Sequence, residues 1–155
     1  MERINKKVPQ NVKDALKEIG ELSCIFWLYF QFGSKGWSVY RNFDEQGYDI
    51  LLSNRQTRKE KRIEVKTRQR VMSSASNRNI KNAHFTPSAG EKETADFLVA
   101  YWLERNWFFI VPTRDLKLTT SKGKPLYKFI VQVTKSNAPD LHSAKYLSNW
   151  DQIIK

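Results

Sequence analysis

The fold is decided by two short segments, Tyr48-Asp-Ile-Leu-Leu-Ser53 and Arg62-Ile-Glu-Val-Lys-Thr67. Both are rich in aliphatic and β-branched residues and are flanked by turn-forming or polar residues, which is typical of strands. Only a polar connection separates them along the chain. We therefore predict that they pair as neighbouring strands of one sheet.

Charged side chains on these two strands are expected to meet. Side chains two apart share a face of a strand, so Glu64 and Lys66 point to one side, while Val65 points into the core with Ile63. Asp49 begins the preceding strand, and a hairpin pairing would bring it to the same end of the sheet. Two carboxylates can bind Mg²⁺ and leave positions open for water and a phosphate oxygen. The Lys66 ammonium could orient a nucleophile or stabilise charge on phosphorus; the alternative is a solvent-facing ion pair with Glu64.

A long amphipathic helix is predicted before these strands. Asn11 is the expected N-cap, and apolar residues then recur at spacings of three and four up to a glycine-containing turn. From Cys24 onward the helix is apolar on all sides, which predicts that its second half is buried. Glu21 lies where the pattern changes, so its carboxylate should be partly buried and need a partner, either a metal ion or Lys66. The alternative is an exposed acid paired with Lys17 one turn back.

The rest of the chain completes one predicted domain, residues 1–155. Residues 71–95 are rich in Ser, Asn, Pro and Gly, which favours a long exposed loop or several short pieces. Weak helical character is expected in residues 143–149 and 150–155. Further strands are expected at Trp37–Phe43, Asp96–Trp102, Trp107–Pro112 and Tyr127–Thr134, the second and third forming a central hairpin. We predict an α/β fold with a mixed central sheet flanked by helices, the first helix packed on one face.

Composition excludes several classes of protein and indicates an anionic partner. With 27 Lys and Arg against 16 Asp and Glu, the 155 residues carry a net charge of +11, and 40% of them are hydrophobic. The hydrophobic content is too high for a disordered basic tail, and no apolar run is long enough to predict a membrane span. One cysteine, Cys24, can form neither an internal disulfide nor a zinc cluster, which fits a reducing cytoplasm. Nucleic acid is the expected partner of such a charge.

The positive charge is concentrated in one part of the sequence. Between Asn54 and Ser88 there are ten Lys and Arg residues against two acids. Amides and cations in this part could grip phosphates or read base edges. The alternatives are an ordinary solvated face and a merely polar loop. The predicted DNA-binding residues are Arg55, Arg58, Lys59, Lys61, Arg68, Arg70, Asn77, Arg78, Asn79 and Lys81.

The acids and the lysine together resemble the motif set of the PD-(D/E)XK nucleases, and most closely the homing endonucleases of that class. The resemblance rests on Glu21 in the first helix, on Gly47-Tyr-Asp-Ile50 and on Ile63-Glu-Val-Lys-Thr67. It implies a restriction-endonuclease-like core, in which Asp49, Glu64 and the main-chain carbonyl of Val65 bind the metal. It further implies that Lys66 is the catalytic lysine and Glu21 the accessory helix acid. Tyr48 stands where the motif name has proline, a position that varies in the superfamily.

These observations predict a Mg²⁺-dependent, site-specific DNA endonuclease of the homing or restriction type. Cutting both strands of double-stranded DNA needs two active sites, which implies a symmetric homo-oligomer; the resemblance suggests a tetramer. A Holliday junction resolvase would use the same chemistry on a substrate chosen by shape. Two other readings stay open: a catalytically inactive DNA-binding protein with this fold, and an RNA-binding or ribosome-associated protein.

Overall fold

The computed structural model describes residues 9–44, 47–68 and 82–155. Three helices and eight strands are formed in these parts of the chain. The helices are α1 (Gln10–Phe32), α2 (Ala89–Thr94) and α3 (Leu141–Ala144). The strands are β1 (Trp37–Arg41), β2 (Ile50–Asn54), β3 (Glu60–Arg68), β4 (Asn82–Phe85), β5 (Phe97–Trp102), β6 (Trp107–Pro112), β7 (Lys117–Ser121) and β8 (Lys124–Gln132).

The strands form two sheets. A five-stranded sheet has the order β1-β2-β3-β5-β6, in which β3 and β5 are parallel and the other pairs antiparallel. This mixed sheet confirms the predicted fold class and the pairing of the two decisive segments. The hairpin of β5 and β6 is also present, but the prediction that both strands are central is wrong for β6, which is an edge strand of the described sheet. The three-stranded sheet β4-β8-β7 was not expected, because β7 carries no apolar alternation.

Each face of the five-stranded sheet is covered by a different layer. On one face, Ile63 and Val65 of β3 pack with Cys24 and Leu28 of α1. On the other, side chains of β5 and β6 pack against β4 and β8 of the smaller sheet. Since β3 presents alternate residues to the two layers, Glu64 and Lys66 face away from α1.

Helix α1 differs from its prediction in two ways. It begins at Gln10 after Pro9, and Asn11 lies inside it with no capping role. Its second half is buried on one side only: Leu28 is fully buried, whereas Phe26, Tyr29 and Phe30 are 59%, 68% and 67% exposed. The reason is geometric, because a helix that packs on one sheet can bury only one stripe of its surface.

Helix α1 approaches β3 unusually closely at Gly20. A Cβ atom placed on Gly20 would lie 1.7 Å from Oγ1 of Thr67. Only a residue without a side chain fits here, so Gly20 sets the distance between the helix that carries Glu21 and the strand that carries Lys66.

The segment predicted as loop, residues 71–95, contains two short regular elements in its described part, namely β4 and α2. This agrees with the alternative of several short pieces. The 3₁₀ turn Trp150–Ile153 confirms the helical character predicted for residues 150–155. The prediction for residues 143–149 is met only at its start, because α3 spans Leu141–Ala144 and turns follow it. None of the described helices is long and apolar enough to span a membrane.

Candidate active site

Asp49 is held in place by hydrogen bonds from both neighbouring strands. Its main-chain N–H donates to the carbonyl of Ile63 at 2.9 Å, and its carbonyl accepts from the N–H of Asn42 at 2.8 Å. Its side-chain Oδ2 accepts from the N–H of Val65 at 2.8 Å. The Asp49 carboxylate is therefore fixed where the β2–β3 ladder ends, beside the middle of β3.

Glu64 and Lys66 meet next to this point on the face away from α1. Lys66 Nζ lies 3.2 Å from Oε1 of Glu64. Glu64 is only 4% exposed, and its other oxygen, Oε2, is buried with no hydrogen-bond partner among the described residues. A buried carboxylate oxygen without a partner is costly, so this oxygen is the most obvious ligand atom of the site.

The main chain of Val65 supplies a further oxygen on the side of Asp49. In a strand, the N–H and C=O of one residue point to the same side. Because the Val65 N–H donates to Asp49, the Val65 carbonyl is directed to that side as well. The Asp49 carboxylate and the Val65 carbonyl are thus both directed to the β2 side of β3. The resemblance assigns these oxygens, together with Glu64, to one metal site.

A third carboxylate, Glu91, lies beside Lys66 and was missed by the sequence analysis. Its Oε2 lies 2.6 Å from Lys66 Nζ. Its other oxygen accepts from the N–H of Ser88 at 3.0 Å, while the hydroxyl of Ser88 accepts from the N–H of Glu91 at 3.1 Å. This reciprocal pair is a capping box, and the spacing Ser88-x-x-Glu91 could have revealed the start of α2. Its proximity to Lys66 had no signal in the sequence.

The pKa values of Glu64 and Glu91 are shifted in opposite directions. Burial raises the pKa of Glu64 to about 10, and the neighbouring Glu91 carboxyl and the charge of Asp49 act in the same direction. Burial also opposes ionisation of Glu91, but its contacts with Glu64 and Lys66 lower its pKa to about 2. Without metal, these shifts favour the proton on Glu64 and the negative charge on Glu91, and Lys66 contacts both side chains.

Asp49 is affected by groups on both faces of the sheet. Burial raises its pKa to about 6, and the hydrogen bond from the Val65 N–H lowers it. The charges of Glu21 and Lys66 also act on it, in opposite directions. Charged groups on both faces of the sheet therefore influence the pKa of Asp49.

Glu21 is buried, as predicted, and its carboxylate is paired with Arg41, a partner that the sequence did not indicate. Its carboxylate binds Arg41 of β1 at 2.9 Å and lies 3.8 Å from Lys17. Arg41 also binds Glu18 one turn earlier, at 2.8 Å from Nη1. Glu21 lies on the α1 face of the sheet and Lys66 on the other, so a direct pairing with Lys66 is not formed.

The predicted DNA-binding residues are split between the two ends of β3. Arg55, Arg58 and Lys59 lie in or next to the β2–β3 turn, five residues of strand from Glu64, or roughly 17 Å at about 3.4 Å per residue. The guanidinium of Arg55 donates to the main-chain carbonyls of Trp37 and Gly33, both at 3.0 Å. The Arg55 side chain thus links the start of β1 to the C-terminal end of α1.

Arg68, two residues beyond Lys66, is exposed at the active-site end and donates to the main-chain carbonyl of His84 at 2.7 Å. Lys61 lines a surface cavity of about 400 Å³ together with Asp96 and Arg114, away from the acidic cluster. The remaining candidates lie outside the described residues: Arg70, Asn77, Arg78, Asn79 and Lys81.

The oxygen atoms of the site fit a hard divalent cation. Within the part of the chain that the structure describes, no three His, Cys, Asp or Glu side chains are arranged to hold a metal by themselves. The candidate ligand set is instead two carboxylates and a main-chain carbonyl, which is typical of Mg²⁺ because that ion keeps several waters. The unpartnered Oε2 of Glu64 supports this set.

Comparison with known proteins shows the fold. No family model and no curated protein matches the chain. A bacterial homing endonuclease, I-Ssp6803I, superposes with a TM-score of 0.62 at 17% identity, covering 90% of this chain and 88% of that one. The Holliday junction resolvase Hjc of Archaeoglobus fulgidus matches 66% of this chain and 76% of its own at 21% identity, with a TM-score of 0.44. The first match shows that the two chains share a fold; the second is too loose to support an argument.

Proposed function

We propose that this chain, with the fold of a homing endonuclease, is a Mg²⁺-dependent DNA endonuclease that hydrolyses phosphodiester bonds at specific sites. One observation carries the proposal: the Asp49 carboxylate accepts a hydrogen bond from the N–H of Val65, and the side chains of the two residues that flank Val65, Glu64 and Lys66, are in contact. Carboxylates and an ammonium in this arrangement serve phosphoryl chemistry, in which a phosphate must be bound and negative charge stabilised.

Each residue of the site has a separate task in this mechanism. Asp49, Glu64 and the Val65 carbonyl would hold Mg²⁺, which when bound polarises the phosphate and lowers the pKa of a bound water. Glu64 must lose its proton to serve as a ligand. Lys66 donates hydrogen bonds to the scissile phosphate or to the attacking water and stabilises negative charge on phosphorus. Glu21, held by Arg41, acts on Asp49 through its charge.

Double-stranded DNA is the substrate that the charge favours. A net charge of +11 lowers the free energy of binding to a polyanion by releasing counterions. Arg68 lies at the active-site end of β3 and is the described cation best placed to contact a phosphate near the scissile bond. The cations of the β2–β3 turn would contact the duplex farther along its axis.

A cleavage assay with a matched control tests the function. Lys66→Ala should abolish cleavage of genomic or random-sequence DNA in Mg²⁺ and leave DNA affinity unchanged at fixed salt. Lys124→Ala, which makes the same charge change at an exposed position of β8, should cleave like the wild type. EDTA should stop cleavage. Unchanged cutting by Lys66→Ala would refute the assigned role.

The substrate used in this assay distinguishes the alternatives. Recurrent cut ends at one sequence support a site-specific endonuclease. Cleavage of a synthetic four-way junction alone would instead identify a junction resolvase. DNA binding without any metal-dependent cleavage would indicate an inactive DNA-binding protein, and preferential binding of RNA over duplex DNA would contradict the substrate.

We further propose that a second copy of this chain covers the outer face of α1, which we define as Leu22, Phe26, Tyr29 and Phe30. These side chains are at least half exposed, and the rings of Phe26 and Phe30 stack at 6.2 Å. No charged residue occurs between Leu22 and Phe32, although the chain as a whole is strongly basic. Two copies could therefore meet here without charge repulsion, and cutting two strands needs two active sites.

The mass of the protein in solution tests this assembly. By light scattering, the wild type should be a dimer or larger, and Phe30→Glu should be a monomer. Phe43→Glu introduces the same charge at a side chain that is 82% exposed but lies outside α1, and should leave the mass unchanged. A monomeric wild type, or an unchanged mass for Phe30→Glu, would contradict the proposed surface.

A further inference from the structure

Glu91 is the best-anchored partner of the Lys66 ammonium. Its Oε2 contacts Lys66 Nζ at 2.6 Å, while its other oxygen is bound by the N–H of Ser88 at 3.0 Å. The main chain of Glu91 is fixed in turn by the hydroxyl of Ser88. The carboxylate is thus pinned at one oxygen and presents the other to the lysine.

Lys66 needs such a partner because its side chain is long and flexible. A lysine has four rotatable side-chain bonds, and fixing them costs free energy unless a strong contact compensates. The other carboxylate in contact with Lys66 is Glu64, and that residue is required as a ligand in the proposed function. With Glu64 assigned to the metal, Glu91 is the remaining described carboxylate in contact with the Lys66 ammonium.

We propose that Glu91 is a positioning residue, which holds the Lys66 ammonium at the scissile phosphate. This role rests on the proposed nuclease function. Glu91 acts through Lys66 and is not itself assigned any contact with substrate. This role gives α2 a function beyond packing, because the capping box at the start of the helix also orients the Glu91 carboxylate.

Glu91→Gln separates the positioning role from a structural one. Glutamine serves in a capping box as glutamate does, so the helix start is retained while the negative charge that faces the Lys66 ammonium is removed. A misplacement of about 1 Å at a reacting group costs about 10²-fold in rate. We therefore expect the single-turnover cleavage rate to fall by about 10- to 100-fold, with KM and DNA affinity unchanged.

Two variants serve as controls. Glu93→Gln makes the same charge change at an exposed position of α2, and its rate should equal that of the wild type. Ser88→Ala removes the side-chain cap of α2 and keeps the Glu91 carboxylate, so its loss of thermal stability measures how much the cap contributes to folding.

A readout without DNA or metal checks the contact directly. Lys66 in an ion pair is a poor nucleophile towards amine-acylating reagents, so its labelling, mapped by mass spectrometry, should be several-fold faster in Glu91→Gln. The exposed Lys124 should label equally in both proteins.

The outcomes separate the two proposals. If the wild type cleaves DNA and Glu91→Gln has the same rate and labelling, the positioning role is overturned and the nuclease function stands. A fall in DNA affinity that accounts for the whole loss of activity would also overturn it. If the wild type never cleaves DNA, the proposed function fails and the role falls with it.

Discussion

Replacing Gly20 with alanine should destabilise the protein, although the same change in a helix usually stabilises. Glycine in a helix interior costs about 1 kcal/mol relative to alanine. Here the new Cβ would lie 1.7 Å from Oγ1 and 2.9 Å from Cβ of Thr67. Thr67 is β-branched and its main chain is held by pairing with Tyr101 of β5, so the helix must move away from the strand to relieve the contact. Overpacking of this kind costs about 1–3 kcal/mol, which leaves a net loss of up to about 2 kcal/mol.

Urea unfolding followed by tryptophan fluorescence measures this loss. Gly90→Ala is the matched control, because nothing described lies within 4 Å of a Cβ at that position of α2; it should be neutral or stabilising. Thr67→Ala should be close to neutral, since the Thr67 hydroxyl is buried with no hydrogen-bond partner among the described residues. In Gly20→Ala/Thr67→Ala, more than half of the lost stability should return. If Gly20→Ala is as stable as Gly90→Ala, the close contact of α1 with β3 does not exist.

Three other outcomes follow from the charges at the site. Without metal, the free energy of unfolding should fall from pH 5 to pH 8, because Glu64 (pKa about 10) and Asp49 (pKa about 6) keep protons in the folded chain that the unfolded chain releases from about pH 4 upward. In thermal unfolding scans, the stability of Glu64→Gln should fall less steeply with pH than that of the wild type. An equally steep fall would argue against a buried, protonated Glu64. At pH 8, Mg²⁺ should raise the Tm of the wild type and not that of Asp49→Asn; a shift in both would place the metal elsewhere. Arg41→Gln should lower the free energy of unfolding by about 1–3 kcal/mol, because it leaves Glu21 buried without its guanidinium, and adding Glu21→Gln should restore part of this in urea titrations.

Local pattern was sufficient for the elements of the site. Strand periodicity placed Glu64 and Lys66 on one face of β3, and the short apolar segment after Asp49 identified β2. These features depend on residues near each other in sequence, where period-two alternation and turn residues leave little choice. The sequence by itself thus determined the mixed sheet, the long first helix and the pairing that brings Asp49 beside Val65.

Only the tertiary structure decided which layer covers each face of the sheet, and with it the partners of the charged residues. Glu21 pairs with Arg41 because α1 lies over β1, and Lys66 pairs with Glu91 because α2 lies on the opposite face. The apolar second half of α1 could not reveal that Phe26 and Phe30 stay exposed. The contact of Lys66 with Glu91 joins residues more than twenty positions apart in the sequence. Its free energy depends on how whole layers pack rather than on any local spacing.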